Sequence, residues 1–265
     1  MSLAIVGRAS AGENLTFDEM TRAVDDIMHG QWSDELIGTF LMALRAKGET
    51  VEEIAGAAQA MRQNMTQIKS NHDVLLDTCG TGGDGSGTFN ISTAAAIVIA
   101  AAGVPVAKHG NRNITSKSGS ANVLAELGVN IEATVAQCEK SLDQAGICFC
   151  FAPLMHQSMR HVAQVRRSLG VPTIFNLLGP LCNPANATHQ LLGVGKPSLR
   201  PMMADALLRL QTKHAVVVCG ADGLDEVTLA TATDCTEVTM SELREFEWTP
   251  EDFGIAAVPS PSALT

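Results

Sequence analysis

The stretch DTCGTGGDGSGTFNISTAAAIVIAAAGVPVAKHGNRNITSKSGSANVLAELG, Asp77 to Gly128, decides the fold of this 265-residue chain. Residues Val74 to Thr78, which overlap the start of this stretch, predict a strand that leads into a glycine-rich loop. The apolar run that follows predicts a helix from about Ala94 to Ala102, which Gly103 ends. A strand, a loop and a helix in this order are the opening unit of a parallel α/β sheet.

The glycine-rich loop predicts an anion-binding cradle. Five glycines stand within eight residues: Gly80, Gly82, Gly83, Gly85 and Gly87. Glycine allows positive φ, so that several N–H groups can point at one anion. Asn90, Ser92 and Thr93 then cap the helix, and a helix N-terminus attracts phosphate. A polyphosphate is the ligand that suits this arrangement.

Two better-known phosphate motifs do not fit. Gly80, Gly82 and Gly85 match G-x-G-x-x-G, but a dinucleotide site needs an acidic residue about 20 positions further on. The chain reads VPVAKHG there. Gly82 and Gly87 have P-loop spacing, yet Thr88 follows where a P-loop requires lysine.

A second cradle, KHGNRNITSKSGS, is predicted between a short strand, Val104 to Ala107, and a helix of about Ala121 to Leu127. Its donors are cationic or imidazole side chains and hydroxyls: Lys108, His109, Arg112, Thr115, Ser116, Ser118 and Ser120. A solvated basic loop would have the same composition. The first cradle, so close in sequence, favours anion binding.

The composition predicts a soluble cytoplasmic protein. The chain is 46% hydrophobic and 17% charged with a net charge of −10, which disfavours nucleic acid and anionic membranes as partners. Seven cysteines form no CxxC pair, and their odd number argues against a disulfide framework. Neither a signal peptide nor an apolar run of membrane-spanning length is recognisable.

Helix-start signals and alternating apolar segments predict two parts. Residues 15–65 contain three predicted helices, two with capping boxes at Thr16 to Glu19 and Thr50 to Glu53 and one with Ser33 before LIGTFLMAL. From Asp73 onward, short apolar strands alternate with helices, which predicts a sheet flanked by helices.

The motifs in this order resemble the anthranilate phosphoribosyltransferases. They are GTGGD at Gly80 to Asp84, NIST at Asn90 to Thr93, KHGNR at Lys108 to Arg112, the segment Phe151 to Ala185, and Asp225–Glu226 in GADGLDEVTL. The resemblance covers essentially the whole chain from residue 15 and is highly specific.

The resemblance implies the fold. It is an α/β fold of the nucleoside phosphorylase/phosphoribosyltransferase type, with a small helical N-terminal domain and a large α/β domain whose central sheet is mostly parallel. The expected domains are residues 1–70, joined by a helical segment near 160–185, and residues 71–265. The family also implies a homodimer through the helical domain, and LIGTFLMAL is compatible both with that interface and with an ordinary helix core. The family continues about 70 to 80 residues beyond Thr265, so a C-terminally truncated α/β domain is expected.

The resemblance also implies the reaction and its site. The family transfers the 5-phosphoribosyl group from 5-phosphoribosyl 1-diphosphate to the amine of anthranilate, giving N-(5-phosphoribosyl)anthranilate and diphosphate in tryptophan biosynthesis. Donor binding falls on Gly80, Gly83, Asp84, Thr88, Asn90, Ile91, Ser92, Thr93, Lys108, His109, Gly110, Asn111, Arg112, Asn113, Ile114, Thr115, Ser116 and Ser120. Mg²⁺ would be held by Ser92, Asp225 and Glu226, and Lys108, Asp225 and Glu226 would act electrostatically.

The acceptor end has fewer residues. Anthranilate binding falls by resemblance on Gly80, Asn111 and Arg166, although most helical arginines are surface charges. No general base is evident, and none is required because an aromatic amine is neutral at pH 7. His109 and His156 are expected to have supporting roles only.

Two alternative functions remain open. A pyrimidine nucleoside phosphorylase-like enzyme would share the cradle but would not need two carboxylates for magnesium. A non-catalytic, nucleic-acid-binding relative would show basic stripes and lose the donor motif.

Overall fold

The computed structural model describes residues 2–82, 84–112 and 119–258. The chain divides into two compact units. The helical unit comprises residues 1–66 and 153–182, and the α/β unit comprises residues 67–152 and 183–265.

The described residues form these α-helices: α1 Ser2–Ser10, α2 Phe17–Met28, α3 Asp34–Lys47, α4 Val51–Gln63, α5 Ile91–Ala101, α6 Ser120–Glu126, α7 Val135–Ala145, α8 Ala152–Met155, α9 Arg160–Leu169, α10 Phe175–Leu178 and α11 Leu199–Arg209. Short 3₁₀-helices are Gln157–Met159, Gly179–Leu181 and Pro250–Phe253. The strands are β1 Leu76–Gly80, β2 Val106–Gly110, β3 Ile147–Phe151, β4 His189–Gly193, β5 His214–Gly220, β6 Thr233–Thr239 and β7 Leu243–Trp248.

The predicted helix starts of the helical unit are confirmed. Thr16 and Thr50 each form a capping box with the glutamate three residues later, and the Ser33 side chain caps α3. These contacts satisfy N–H groups that the first helical turn leaves unpaired. The three helices predicted in residues 15–65 are thus present, and the structure adds α1, before that segment, which no capping signal announces.

The apolar run LIGTFLMAL packs inside the helical unit. Ile37, Phe40, Leu41 and Leu44 are buried in the single chain. Burial of such side chains is the main source of stability in a helical bundle. These four residues therefore belong to a helix core, whereas Met42 in the same run is exposed.

The α/β unit is built on one seven-stranded sheet in the order β3-β2-β1-β4-β5-β6-β7. Strands β1 to β5 pair in parallel, whereas β6 and β7 are antiparallel, so the prediction of a mostly parallel sheet is confirmed. Helix α5 packs on β1 and β2, α7 packs on β3, and α11 packs on β5 and β6. The strand order reverses between β1 and β4, and ligands of open α/β sheets bind at the carboxyl ends of the strands at such a point.

Several predicted boundaries are shifted. Strand β2 begins two residues later than predicted because Pro105 has no N–H for the ladder. Lys108 and His109 therefore end a buried strand instead of following it. Helix α5 begins at Ile91, three residues before the predicted start, because Asn90 is its N-cap.

All seven cysteines are free thiols; six are buried and Cys79 is half-buried. Within the part of the chain that the structure describes, none of the helices has the length and hydrophobicity needed to cross a bilayer.

Candidate active site

The first cradle lies at the carboxyl end of β1. Gly82, Gly85 and Gly87 have φ of 67°, 71° and 71°, so the loop uses the conformations that only glycine adopts without strain. Asn90 Oδ1 accepts a hydrogen bond from Thr93 N at 3.0 Å and closes the first turn of α5. The start of this eleven-residue helix therefore stands beside the loop, as an anion site requires.

Lys108 brings a buried ammonium to the start of α5. Its Nζ donates to Thr78 O at 2.6 Å and to Ser92 Oγ at 3.1 Å. Burial lowers the pKa of Lys108, and the charge of Asp77 opposes that shift. An ammonium held in this way can interact strongly with a phosphate because little water screens it.

Asp77 is a buried neighbour that the sequence analysis missed. Its Oδ1 accepts a hydrogen bond from His109 N at 3.1 Å, which links β1 to β2. Burial raises the pKa of Asp77, while Lys108 lowers it. The only signal in the sequence was an acidic residue inside a predicted strand, which is rare without a partner.

Asp225 and Glu226 lie on the loop of residues 221–232, which joins β5 to β6. Asp225 Oδ2 accepts a hydrogen bond from Gly82 N at 3.1 Å, so this loop touches the first cradle. Burial, followed by the charge of Asp84, raises the pKa of Asp225 to about 6. Burial and the Asp225 charge raise the pKa of Glu226 to about 7, against the opposing effects of Lys108 and a backbone hydrogen bond from Ser92.

Glycines at the strand ends make room for these carboxylates. A Cβ on Gly80 would lie 2.8 Å from Asp225 Oδ2, and a Cβ on Gly193 would overlap Asp225 O. A Cβ on Gly195 would lie 3.0 Å from the Cβ of Asp84. The sequence analysis missed Gly193 and Gly195, although a G-x-G after an apolar segment was a usable signal.

The acidic side chains fit a magnesium ion that shares its coordination with a substrate. No group of three His, Cys, Asp or Glu side chains within residues 2–82, 84–112 and 119–258 is arranged to hold a metal ion alone. Mg²⁺ usually takes one or two carboxylates together with substrate phosphates. Asp84 Oδ2 is buried and accepts no hydrogen bond from the described residues. The raised pKa values of Asp225 and Glu226 reflect burial first and neighbouring negative charge second, and a cation would offset both effects.

The hydroxyls of the first cradle lie close together. Ser92 Oγ donates to Asn90 Oδ1 at 3.3 Å and receives the hydrogen bond from Lys108. Thr88 Oγ1 lies 3.1 Å from Ser86 Oγ. Of the predicted residues, Asn90, Ser92 and Lys108 are therefore linked by hydrogen bonds at the start of α5.

The second cradle is described in part. Asn111 O accepts hydrogen bonds from Ser120 Oγ at 3.4 Å and from Ala121 N at 3.2 Å, so the two ends of this loop meet. Arg112 contacts Glu132 at 3.4 Å, and its guanidinium lies 5.8 Å from the centre of the Phe151 ring. The predicted residues Gly83, Asn113, Ile114, Thr115 and Ser116 lie outside the described residues.

Arg166 belongs to the helical unit, on α9. It is half-buried, whereas Arg167 is exposed. Its Nη2 donates to Asn176 Oδ1 at 3.5 Å, and its guanidinium lies 5.8 Å from the centre of the Phe175 ring. Burial lowers the pKa of Arg166. Asn176 and Phe175 therefore orient this side chain, which distinguishes it from a freely solvated surface charge.

The two histidines named in the sequence analysis, His109 and His156, are both buried. His109 is buried at the end of β2. Burial lowers the pKa of His156, in the helical unit, to about 4. His156 is therefore neutral at pH 7, and its pKa lies far below the value that favours a general base at that pH.

Two family models match the chain in the same order as its units. The glycosyl transferase family, helical bundle domain matches residues 4–65, and the glycosyl transferase family, a/b domain matches residues 72–262. Fold and site thus define a glycosyltransferase with a helical bundle and an α/β domain.

Individual relatives narrow the class. The anthranilate phosphoribosyltransferase of Rhodopirellula baltica is 53% identical over 96% of this chain and 74% of its own length, and that of Acetivibrio thermocellus is 50% identical over 98% and 75%. A crystal structure of the Thermus thermophilus enzyme has a TM-score of 0.89 at 41% identity and covers 98% of this chain and 77% of its own. The structure of the Saccharomyces cerevisiae enzyme in complex with PRPP (5-phosphoribosyl 1-diphosphate) and Mg also has a TM-score of 0.89, at 30% identity. The match covers 100% of this chain and 76% of the yeast chain. This chain belongs to the anthranilate phosphoribosyltransferase family.

Proposed function

We propose that this protein transfers the 5-phosphoribosyl group of 5-phosphoribosyl 1-diphosphate to the amine of anthranilate, with release of diphosphate. The observation that carries the proposal is the meeting of Asp225 with the glycine-rich loop through Gly82. It joins a pair of half-buried carboxylates to an anion cradle. The donor is a sugar phosphate that also carries a diphosphate, and it requires both features.

Main-chain N–H groups provide one set of contacts to the donor. The N–H groups of the glycine-rich loop and of the first turn of α5 point at its phosphates, and the helix N-terminus adds a partial positive charge. Lys108 contributes a full charge that Thr78 and Ser92 hold in place. Because these groups are arranged before the donor arrives, little reorganisation accompanies the reaction.

The leaving diphosphate needs more positive charge than Lys108 supplies. Asp225 and Glu226 would hold Mg²⁺, with Ser92 as a further ligand and substrate oxygens for the rest. When bound, the ion neutralises the diphosphate as the bond to the anomeric carbon breaks. The structure of the yeast relative in complex with PRPP and Mg supports the use of this ion.

Anthranilate presents a carboxylate and a neutral amine. Arg166 would bind the carboxylate through its planar guanidinium, with Asn111 and Gly80 as further contacts. The amine then attacks the anomeric carbon with its own lone pair as the bond to diphosphate breaks, and the nitrogen afterwards loses a proton to water, so no general base is needed before the bond forms. Catalysis rests on positioning and on electrostatic stabilisation of the departing diphosphate. A structure of the yeast relative with 4-fluoroanthranilate supports the acceptor class.

The cellular context follows from the same family. We place the reaction in tryptophan biosynthesis, in the cytoplasm, and expect a homodimer formed through the helical unit. Because Ile37, Phe40, Leu41 and Leu44 are buried within one chain, that interface must use other residues. Size-exclusion chromatography with light scattering tests the dimer.

The function is tested by the loss of anthranilate fluorescence when the phosphoribosyl donor and Mg²⁺ are added to the 265-residue chain. We expect donor-dependent and magnesium-dependent consumption. Glu226→Ala should reduce it by two or more orders of magnitude, whereas Glu251→Ala, an exposed glutamate outside the site, should not.

Two results would contradict the proposal. One is a wild-type chain that is folded and binds the donor but leaves anthranilate unchanged. The other is phosphate-dependent cleavage of a pyrimidine nucleoside by the same preparation, which would support the alternative enzyme class.

A further inference from the structure

We propose that Asp222 and Thr228 are positioning residues that hold the loop of residues 221–232 so that Asp225 and Glu226 can serve the donor site. The inference rests on the proposed function and deepens it. It assigns a role to the contact between the side chains of Asp222 and Thr228, which are six residues apart in the chain.

We call the hydrogen bonds that Asp222 accepts from Thr228 and Leu224 the clasp of the loop. Thr228 Oγ1 donates a hydrogen bond to Asp222 Oδ2 at 2.7 Å, and Leu224 N donates to Asp222 Oδ1 at 3.2 Å. The Thr228 hydroxyl also accepts from Ala230 N at 3.1 Å. Both oxygens of Asp222 are thus used within the loop, on either side of the Asp225–Glu226 pair.

The clasp is anchored to the sheet at both ends. Gly220 N, at the end of β5, donates to Leu224 O at 2.9 Å. Thr228 N donates to the side chain of Thr233, the first residue of β6, at 3.0 Å. Thr228 and Thr233 are both buried, so water competes little for these bonds. Hydrogen bonds to the ends of β5 and β6 therefore fix the loop on both sides of Asp225 and Glu226.

Close packing at the strand ends makes the position of Asp222 specific. A Cβ on Gly220 would overlap Asp222 Oδ1, so the main chain itself leaves the space that this carboxylate fills. On the far side of the loop, the main chain of Asp225 packs against Gly193, and its side chain accepts from Gly82. If the hydrogen bond between Thr228 and Asp222 were lost, only the contacts of Asp225 with Gly82 and Gly193 would hold this side of the loop.

Clasp and site are separate in their chemistry. Each carboxylate oxygen of Asp222 accepts a hydrogen bond from inside the loop, so we assign Asp222 to holding the loop and not to the donor site. Groups that orient metal ligands in this way typically change metal affinity or activity by about 10- to 100-fold when they are removed. A loss of similar size is expected here.

The test compares three single variants of the full chain. Thr228→Val removes the hydroxyl and keeps the shape, Thr228→Ser keeps the hydroxyl, and Thr239→Val is the matched control. Thr239 also uses its hydroxyl in a turn, accepting from Glu242 N at 3.2 Å, but it pairs with His214 at the end of β5 and β6 that is remote from the loop of residues 221–232. Asp222→Asn is a second route to the same defect if Thr228→Val does not fold.

The first readout is binding without turnover. Mn²⁺ is titrated into each protein in the presence of 5-phosphoribosyl 1-diphosphate, and the free ion is measured by electron paramagnetic resonance. We expect Thr228→Val to weaken donor-dependent Mn²⁺ binding by about tenfold or more, and Thr228→Ser and Thr239→Val to change it by less than about threefold.

The second readout is kinetic. We expect Thr228→Val to raise the Mg²⁺ requirement and lower kcat while the KM for anthranilate stays within about twofold, since the acceptor contacts are elsewhere. Restoration by Thr228→Ser separates positioning from a general loss of stability. Equal Mn²⁺ binding by wild type and Thr228→Val, or an equal loss in Thr239→Val, would overturn the inference. A wild-type chain without donor-dependent Mn²⁺ binding would instead refute the proposed function.

Discussion

Glu53 in the helical unit and the Asp225–Glu226 pair in the α/β unit are both acidic groups withdrawn from water, but their surroundings differ. Glu53 Oε2 meets Lys47 Nζ at 2.7 Å and accepts from Thr50 N at 2.8 Å, while its Oε1 accepts from Leu15 N at 2.9 Å. Asp225 accepts a hydrogen bond from Gly82 N and has a like-charged neighbour, Asp84. The first arrangement is complete within the chain, whereas we propose that a cation and a ligand complete the second.

This difference separates stability from function. When one partner of a buried, fully hydrogen-bonded ion pair is removed, the other charge stays buried without compensation, and the folded state loses stability. A buried charge beside another of the same sign costs stability, and such groups cluster at functional sites. Four predictions test the contrast, with Trp32 reporting on the helical unit and Trp248 on the α/β unit in single-tryptophan variants.

The largest effect is expected at Glu53. Glu53→Gln leaves the Lys47 ammonium buried without its counter-charge and should lower the free energy of unfolding by about 3–5 kcal/mol, measured by urea titration of Trp32 fluorescence. Glu13→Gln, which removes an exposed partner of Arg8, is the control and should change stability little. Asp225→Asn should instead stabilise the ligand-free α/β unit. A loss there as large as that of Glu53→Gln would make Asp225 a structural residue.

The two units should respond oppositely to pH. The pKa of His156 is lowered from 6.5 to about 4, so the unfolded chain binds more protons in this window and the helical unit loses stability as pH falls from about 6.5 towards 4. The pKa of Glu226 is raised from 4.5 to about 7, so the native state binds more protons and the α/β unit loses stability as pH rises through that range. Each change amounts to about 2 to 3 kcal/mol.

Urea titrations of both single-tryptophan proteins without Mg²⁺ at pH 4.5 to 7.5 measure these slopes. His156→Asn should flatten the first slope, and Glu226→Gln should reduce the second, of which Asp225, with its pKa raised to about 6, retains a part. Slopes of the same sign in both units would contradict the assignment of these two groups.

A smaller effect should divide acceptor from donor. Arg166→Ala removes a charged hydrogen-bonding group and should raise the KM for anthranilate by about 10- to 100-fold while the KM for the donor changes little. Lys108→Met should do the reverse. Arg167→Ala, the exposed neighbour, is the control. Equal effects of Arg166→Ala on both substrates would refute its role in acceptor binding.

The smallest effects concern helix caps. Thr50→Ala and Asn90→Ala each remove one N-cap acceptor and should cost about 1 kcal/mol of stability in their own unit. Only Asn90→Ala should also weaken donor binding, since α5 begins at the proposed site. Isothermal titration with the donor checks this. Unchanged donor affinity in Asn90→Ala would mean that the start of α5 does not contact the phosphates.

Local signals in the sequence were sufficient for much of the fold. The capping boxes at Thr16 and Thr50 and the N-cap at Ser33 were predicted because a cap involves residues only a few positions apart. The boundary of β2 was wrong because the apolar character of Val104 and Pro105 conceals the missing N–H. Asp77 was missed because its partner, the main chain of His109, lies on the neighbouring strand.

The sequence by itself determined the helix starts at Thr16, Ser33 and Thr50 and the family, and it predicted the two anion cradles, since each depends on short-range spacing in the linear order of residues. Only the tertiary structure decided that Gly193 and Gly195 lie against Asp225 and Asp84, and that Asp222 and Thr228 close the acidic loop. The physical reason is distance along the chain. Parallel strands bring together segments more than a hundred residues apart, and the charge, burial and hydrogen bonding of each side chain there depend on neighbours that its own segment does not contain.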